Sequence, residues 1–136
     1  MREMNSINID STIKRLLSYA TSELKVDEEY RKYISLPNRK LYSTEANGRI
    51  ISCIGIEIYN SKNSVIKHIA VLPKERGNGI GSSMIKFVCR EHNLRSISAE
   101  TDKDAVLFYA NFGFHITNLG EKYPGTERFL CKFDVK

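Results

Sequence analysis

The stretch that most limits what this chain can fold into is Arg76-Gly77-Asn78-Gly79-Ile80-Gly81, with three glycines in five residues. It stands between an apolar run, VIKHIAV at 65–71, and a run of good helix formers that sets Ile80, Met84, Phe87 and Val88 on one stripe. Glycine gives up backbone entropy, so clustered glycines mark a chain that must turn sharply or be approached closely. With RSISAE following at 95–100, the order is strand, glycine loop, crossover helix, strand, and such a unit requires parallel pairing. A helix starting directly behind the loop adds unpaired N–H groups and a partial positive charge, which suit a phosphate. The plainer reading is a turn that only joins strand to helix, for which one or two glycines suffice.

The remaining elements follow from periodicity and turn chemistry. Residues 2–7 form a short candidate edge strand. Asp10 or Ser11 caps a helix whose stripe is Ile13, Leu16, Leu17, Ala20 and Leu24. A second helix starts near Asp27, carries Tyr30, Tyr33 and Ile34 on one face, and ends before Pro37. KLYSTEA, Asn47-Gly48 and RIISCIGIEIY make a hairpin, because Asn-Gly accepts the positive φ angles of a type I′ turn. With a polar turn at 60–64 and the strand at 65–71, residues 40–71 read as a three-stranded meander. A helix from Asp104 to about Phe112 is closed by Gly113, and strands near 114–118 and 128–133 end the chain. The sum is one α/β domain over residues 1–136, a mixed sheet flanked by helices.

Composition narrows the function. Lys and Arg number 21 against 16 Asp and Glu, a net charge of +5. The cations are scattered, which favours a small anionic ligand over a nucleic-acid groove, and no recognition helix or exposed aromatic platform argues for DNA or RNA. Cys53, Cys89 and Cys131 each have apolar neighbours, as reduced core thiols of a cytoplasmic protein would. No apolar run approaches the ~20 residues of a membrane span. No metal is expected.

Two familiar phosphate loops fail on this sequence. The dinucleotide pattern needs glycine where Ser82 or Met84 stands, and the nucleotide P-loop needs a Lys-Ser/Thr pair that is missing. What fits is R-x-x-G-x-G, with Arg76, Gly79 and Gly81. The run HIAVLPKERGNGIGSSMIKF, followed some 25 residues later by AVLFYANFGF, resembles the GCN5-related N-acetyltransferases. The resemblance spans essentially the whole chain. It implies an acyl-CoA N-acyltransferase fold: a central, mostly antiparallel sheet with a parallel, splayed pair of fourth and fifth strands and about four helices. It also implies acetyl-CoA as donor. Its pyrophosphate would lie on Arg76, Gly77, Asn78, Gly79, Ile80, Gly81 and Ser82, and its pantetheine arm along Ile69, Ala70 and Val71. A bulge near 70–72 would open the sheet. Ala105 and Phe108 are the helix-motif positions expected at the cofactor. Many members carry asparagine three residues before that alanine, and Asp102 in its place puts this contact in doubt.

Acetyl transfer needs a neutral amine, donors for the developing oxyanion and a proton for the departing thiolate. The resemblance implies a backbone N–H at the bulge, Val71 or Leu72, as oxyanion donor, and Tyr109 as acid. Taken alone, Tyr109 reads as a core aromatic. The base is open: His68 has the right intrinsic pKa, yet simple alternation puts it on one sheet face with Ile66 and Ala70, where it could be packed. Glu57 lies in an apolar strand, buried or facing a pocket, and Glu100 ends the short parallel strand. A water chain is a further option, and His92 and His115 read as surface or strand-end residues. The expected activity is direct acetyl transfer to a primary amine of a small molecule or peptide. A non-catalytic acyl-CoA-binding or regulatory domain is the alternative, and a homodimer is a family-level expectation. The acceptor pocket falls to residues 11–36 and 119–128, whose acids would suit a cationic amine.

Overall fold

The computed structural model describes residues 1–135. Asp10 opens helix α1 (Ser11–Ala20): its carboxylate accepts from the N–H groups of Thr12 at 2.8 Å and Ile13 at 3.2 Å. Ile13, Leu16 and Leu17 are buried, but the stripe does not continue to Leu24. Thr21 leaves the helix with extended backbone, and Leu24 sits 96% exposed on the 3-10 turn Glu23–Lys25. Thr and Ser at 21 and 22 are weak helix formers, so the helix stops where propensity fails. Helix α2 (Val26–Ser35) buries Tyr30 and Tyr33 and ends before Pro37, which disfavours helical backbone at the residue before it.

The sheet has seven strands: β1 (Arg2–Glu3), β2 (Arg39–Ala46), β3 (Arg49–Asn60), β4 (Asn63–Val71), β5 (Ser96–Asp102), β6 (His115–Tyr123) and β7 (Thr126–Asp134). Their order is β1-β2-β3-β4-β5-β7-β6. Only β4 and β5 pair in parallel, joined by helix α3 (Ile80–Glu91). Helix α4 (Val106–Phe112) joins β5 to β6. The meander forms as read, with Asn47 at φ 55° in its first turn. Two expectations are corrected in length. β1 stops after Glu3, because Met4 turns into the core and accepts the Ser43 hydroxyl on its sulfur. The last hairpin is longer than predicted, since its strands run to Tyr123 and from Thr126 around a tight turn at Pro124-Gly125.

Apolar layers cover both faces of the sheet. On one, α1 and α2 pack on Leu41, Ile51, Cys53, Ala70 and Leu72; on the other, Met84, Ile85 and Val88 of α3 meet Ile54, Ile56, Ile66, Ile97 and Cys131. Each fully buried aliphatic side chain contributes roughly 1.5–3 kcal/mol. The three cysteines are free and buried, as their apolar neighbours predict. His92 is not at the surface as expected but half-buried, its Nε2 2.7 Å from the Tyr42 hydroxyl. Among the described residues no helix is long and apolar enough to cross a membrane, and no group of side chains could hold a metal ion.

Candidate functional site

The site begins where two strands part. β4 and β5 pair from Asn63 with Ser96 to Ile66 with Ala99, and no further. On the other side of β4, Gly55 of β3 faces His68 while the next residue, Ile56, faces Ile66. Lys67 is therefore an extra residue on β4, a bulge that bends the strand away from β5. The bulge was expected at 70–72, but there the pairing is regular: Ala70 faces Cys53, Val71 faces Ser52, and the Leu72 N–H donates to the Ile51 carbonyl at 2.9 Å. Leu72 is thus spent as a donor. By antiparallel alternation the N–H groups of Val71 and Ile69 point away from β3, into the opening. The bulge also breaks the side-chain alternation. Ile66 packs with the α3 layer, whereas His68 joins Ala70 on the α1/α2 side.

Between the parted strands lies a cleft of about 690 Å³, within the usual range for a small-ligand site. One end is built by the glycine loop. Gly77 and Gly79 hold φ angles of 82° and 75°, and a Cβ built on either meets nothing within 4 Å. Left-handed backbone, not crowding, demands glycine there, and the space in front of the loop is open. Gly81 is different: a Cβ would lie 3.0 Å from the Phe108 ring, so α4 rests on the first turn of α3. Gly79 caps α3 without a side chain, and the first intrahelical bond is Ser83 N–H to Gly79 carbonyl, 3.0 Å. The N–H groups of Ile80, Gly81 and Ser82 have no helical acceptor and belong to residues lining the cleft. Arg76 was expected at the pyrophosphate. In the structure it clips the loop to the strand, donating from Nε to the Val71 carbonyl at 2.9 Å and stacking its guanidinium 5.3 Å above the Tyr19 ring.

Opposite the loop stand Ala105, Phe108 and Tyr109. Tyr109 is 4% exposed, edge-on to Phe108 and Phe114, and burial pushes its phenol well above the ordinary value. Its hydroxyl is neither bonded within the described protein nor sealed from solvent, so it is free to donate into the cleft. Asp102 lines the cleft too, but its Oδ1 accepts from the N–H groups of Asp104 at 3.0 Å and Ala105 at 3.1 Å. That turn delays α4 to Val106, two residues beyond the expected start at Asp104.

The candidate bases separate. His68 is 6% exposed and lines the cleft; its Nδ1 is 2.5 Å from the Tyr33 hydroxyl and its Nε2 is 3.7 Å from Glu29 Oε1. Burial pulls its pKa down to about 4 against the opposing pull of Glu29, so it is neutral at ordinary pH. Burial acts to raise Glu29, yet the Lys32 hydrogen bond and the charges of His68, Lys32 and Arg39 hold its carboxyl below the usual value. Arg39 bridges Glu29, 3.5 Å from its Nη1, and Glu57, 3.0 Å from its Nε. Glu57 therefore sits behind the site, outside the cleft lining, bound to a buried cation. Glu100 does line the cleft, held by Lys122 at 2.8 Å and Arg128 at 3.2 Å.

Tyr33 and Glu29 were not read as partners of His68. Gly55 is the signal that could have found them, because glycine inside an apolar strand marks a close approach. A Cβ there would fall 2.0 Å from the Tyr33 hydroxyl oxygen, so the missing side chain is the slot through which Tyr33 reaches His68.

A parted parallel pair, with a glycine loop and an open helix N-terminus at its mouth, defines an α/β protein shaped for an extended phosphorylated ligand. A family model described as "Acetyltransferase (GNAT) domain" matches residues 37–116, and the chain belongs to this family. A Bacillus methanolicus protein described as an uncharacterized N-acetyltransferase in the lysA 3′ region is 34% identical over 74 residues. The match spans 52% of this chain and 62% of that protein, less than two thirds of its length. Solved structures share the fold. A GNAT family acetyltransferase from Elizabethkingia anophelis with acetyl-CoA bound aligns at TM-score 0.73 and 22% identity, over 98% of this chain and 96% of that one. An aminoglycoside 6′-N-acetyltransferase complexed with coenzyme A aligns at 0.79 and 15%, over 98% and 97%.

Proposed function

We propose that the protein is an N-acetyltransferase that moves the acetyl group of acetyl-CoA directly to a primary amine in a ternary complex. The observation that carries this reading is the convergence on one cleft of three donor sets: the α3 N-terminus, the free edge of β4 and the Tyr109 hydroxyl. The residues fit the cosubstrate. Gly77, Asn78, Gly79, Ile80, Gly81 and Ser82 would hold the pyrophosphate, with Arg76 bracing the loop, and Ile69, Ala70 and Val71 offer a strand edge to the pantetheine arm. Ala105 and Phe108 wall the opposite side.

The Val71 N–H, unpaired on the open side of β4, steadies the oxyanion that develops on the thioester carbonyl. Tyr109, a neutral phenol, gives its proton to the departing thiolate. The amine's proton leaves through water in the cleft: His68, with a pKa of about 4, its Nδ1 at Tyr33 and its Nε2 turned to Glu29, is a positioning residue beside the acceptor rather than the base. Glu57 acts one step further back, by holding Arg39. Nothing suggests an acyl-enzyme on cysteine: all three thiols are buried, and burial raises each, Cys53 to about 12.

Titration calorimetry with acetyl-CoA and CoA, followed by thiol release across an amine panel, tests the reading. Binding with turnover is the expected result. Binding without turnover on any amine would instead favour a non-catalytic acyl-CoA-binding domain, and no binding would remove both.

A further inference from the structure

Resting on that reading, we propose that the acceptor is an amine carrying an anionic group, a carboxylate or phosphate beside the reacting nitrogen, and that Lys67 and Arg128 hold the anion. Helices α1 and α2 pack on β2, β3 and β4 and leave the same face of β5, β7 and β6 uncovered. Glu100, Arg128 and Leu130 lie on this open shelf beside the point where β4 and β5 part. It meets the cleft at Lys67, Glu100 and Arg128. Lys67 stands about 13 Å along β4 from Val71, at ~3.3 Å per residue, so this end is separate from the glycine loop.

The charges here do not balance. Glu100 and Asp102 are the carboxylates at this end: Lys122 and Arg128 both bind Glu100, and Asp102 stands across the strands from Arg128 with its Oδ1 held by the turn before α4. Lys67 is exposed on the bulge and makes no ion pair among the described residues. Three cations thus face two acids, and among the described residues Lys67 is the one left without a partner. The acids that the sequence offered to a cationic acceptor are used elsewhere: Glu28 and Glu29 face Lys32, Glu121 accepts from the Gly125 N–H, and Glu127 accepts from Asn118. A polycationic acceptor would meet Lys67, a charge of its own sign with no ion-pair partner among those residues, whereas an acceptor with an adjoining anion would neutralise it.

Thiol release from acetyl-CoA over matched acceptors tests the proposal: serine against serinamide, phosphoethanolamine against ethanolamine, with spermidine and kanamycin as polycations. The carboxylate and phosphate pairs distinguish the two kinds of anion. We expect kcat/KM at least ~10-fold higher for the anionic member of one pair, equivalent to about 1.4 kcal/mol. Lys67→Met should shrink that ratio through KM, and Glu100→Gln, which releases Lys122 and Arg128, should enlarge it. Preference for spermidine or kanamycin, or a ratio unmoved by Lys67→Met, overturns the proposal while leaving acetyl transfer intact. A protein that acetylates other amines of the panel but none of these anionic ones overturns the proposal alone, and one that binds acetyl-CoA and acetylates no amine at all removes the acetyl-transfer reading and this proposal with it.

Discussion

Gly55, Tyr33 and His68 work as one unit across two strands and a helix, which makes a one-carbon change informative. Gly55→Ala puts a methyl where the Tyr33 hydroxyl sits, so Tyr33 must move and the bond to His68 must break. Overpacking of this kind costs about 1–3 kcal/mol, and urea unfolding should show a lower midpoint with an unchanged slope. His68 itself gives a signed pH effect. Its folded pKa is about 4 against 6.5 for the free side chain. Between those values the unfolded chain binds a proton that the folded chain refuses. Stability from this group is therefore complete above pH 6.5 and lost as the pH falls towards 4, by up to ~3 kcal/mol. His68→Gln should flatten that limb of the stability profile, and an identical limb in wild type and variant would show that His68 is not buried neutral. Tyr109→Phe keeps the ring packing against Phe108 and Phe114 and removes only the hydroxyl. It should lower kcat on the order of 10²-fold and leave acetyl-CoA affinity in calorimetry nearly unchanged.

At the scale of elements, the turn between β5 and α4 decides where Tyr109 stands. One Asp102 oxygen binds two backbone N–H groups there, an arrangement asparagine can reproduce and alanine cannot. Asp102→Ala should cost about 1 kcal/mol and reduce kcat, while Asp102→Asn restores both; equal loss in the two variants would point to the charge instead. The elements were legible wherever local chemistry decides them: the Asn47-Gly48 hairpin, the glycine loop before α3 and the stop before Pro37. The misreadings at the site came from choices settled across the sheet. The bulge fell at Lys67 rather than at 70–72 because what must be matched is Gly55, emptied for Tyr33, and no window of β4 alone contains that constraint. The same displacement moved His68 to the face opposite Ile66. Leu24 fits the helical stripe in spacing, but Thr21 and Ser22 end the helix before it.

For the whole molecule, the parted strands set the balance between stability and function. β4 beyond Ile66 is bonded only to β3, and the cleft separates it from β5, so the α1/α2 half of the protein meets the rest largely across β3, β4 and the loop held by Arg76. A ligand bridging the loop, the β4 edge and α4 supplies contacts that the parted strands lack. At about 100 times its Kd, such a ligand adds roughly 2.7 kcal/mol, which for a chain of this size corresponds to a rise in Tm of roughly 10 °C. The protection should be local as well. The Ile69 and Val71 amides face the opening and should exchange with solvent quickly in the free protein, whereas those of Ala70 and Leu72, turned towards β3, should exchange slowly throughout. Acetyl-CoA should slow Ile69, Val71 and the first turn of α3 and leave Ala70 unchanged. Uniform slowing across β4 would mean that the ligand tightens the whole sheet rather than completing its open edge.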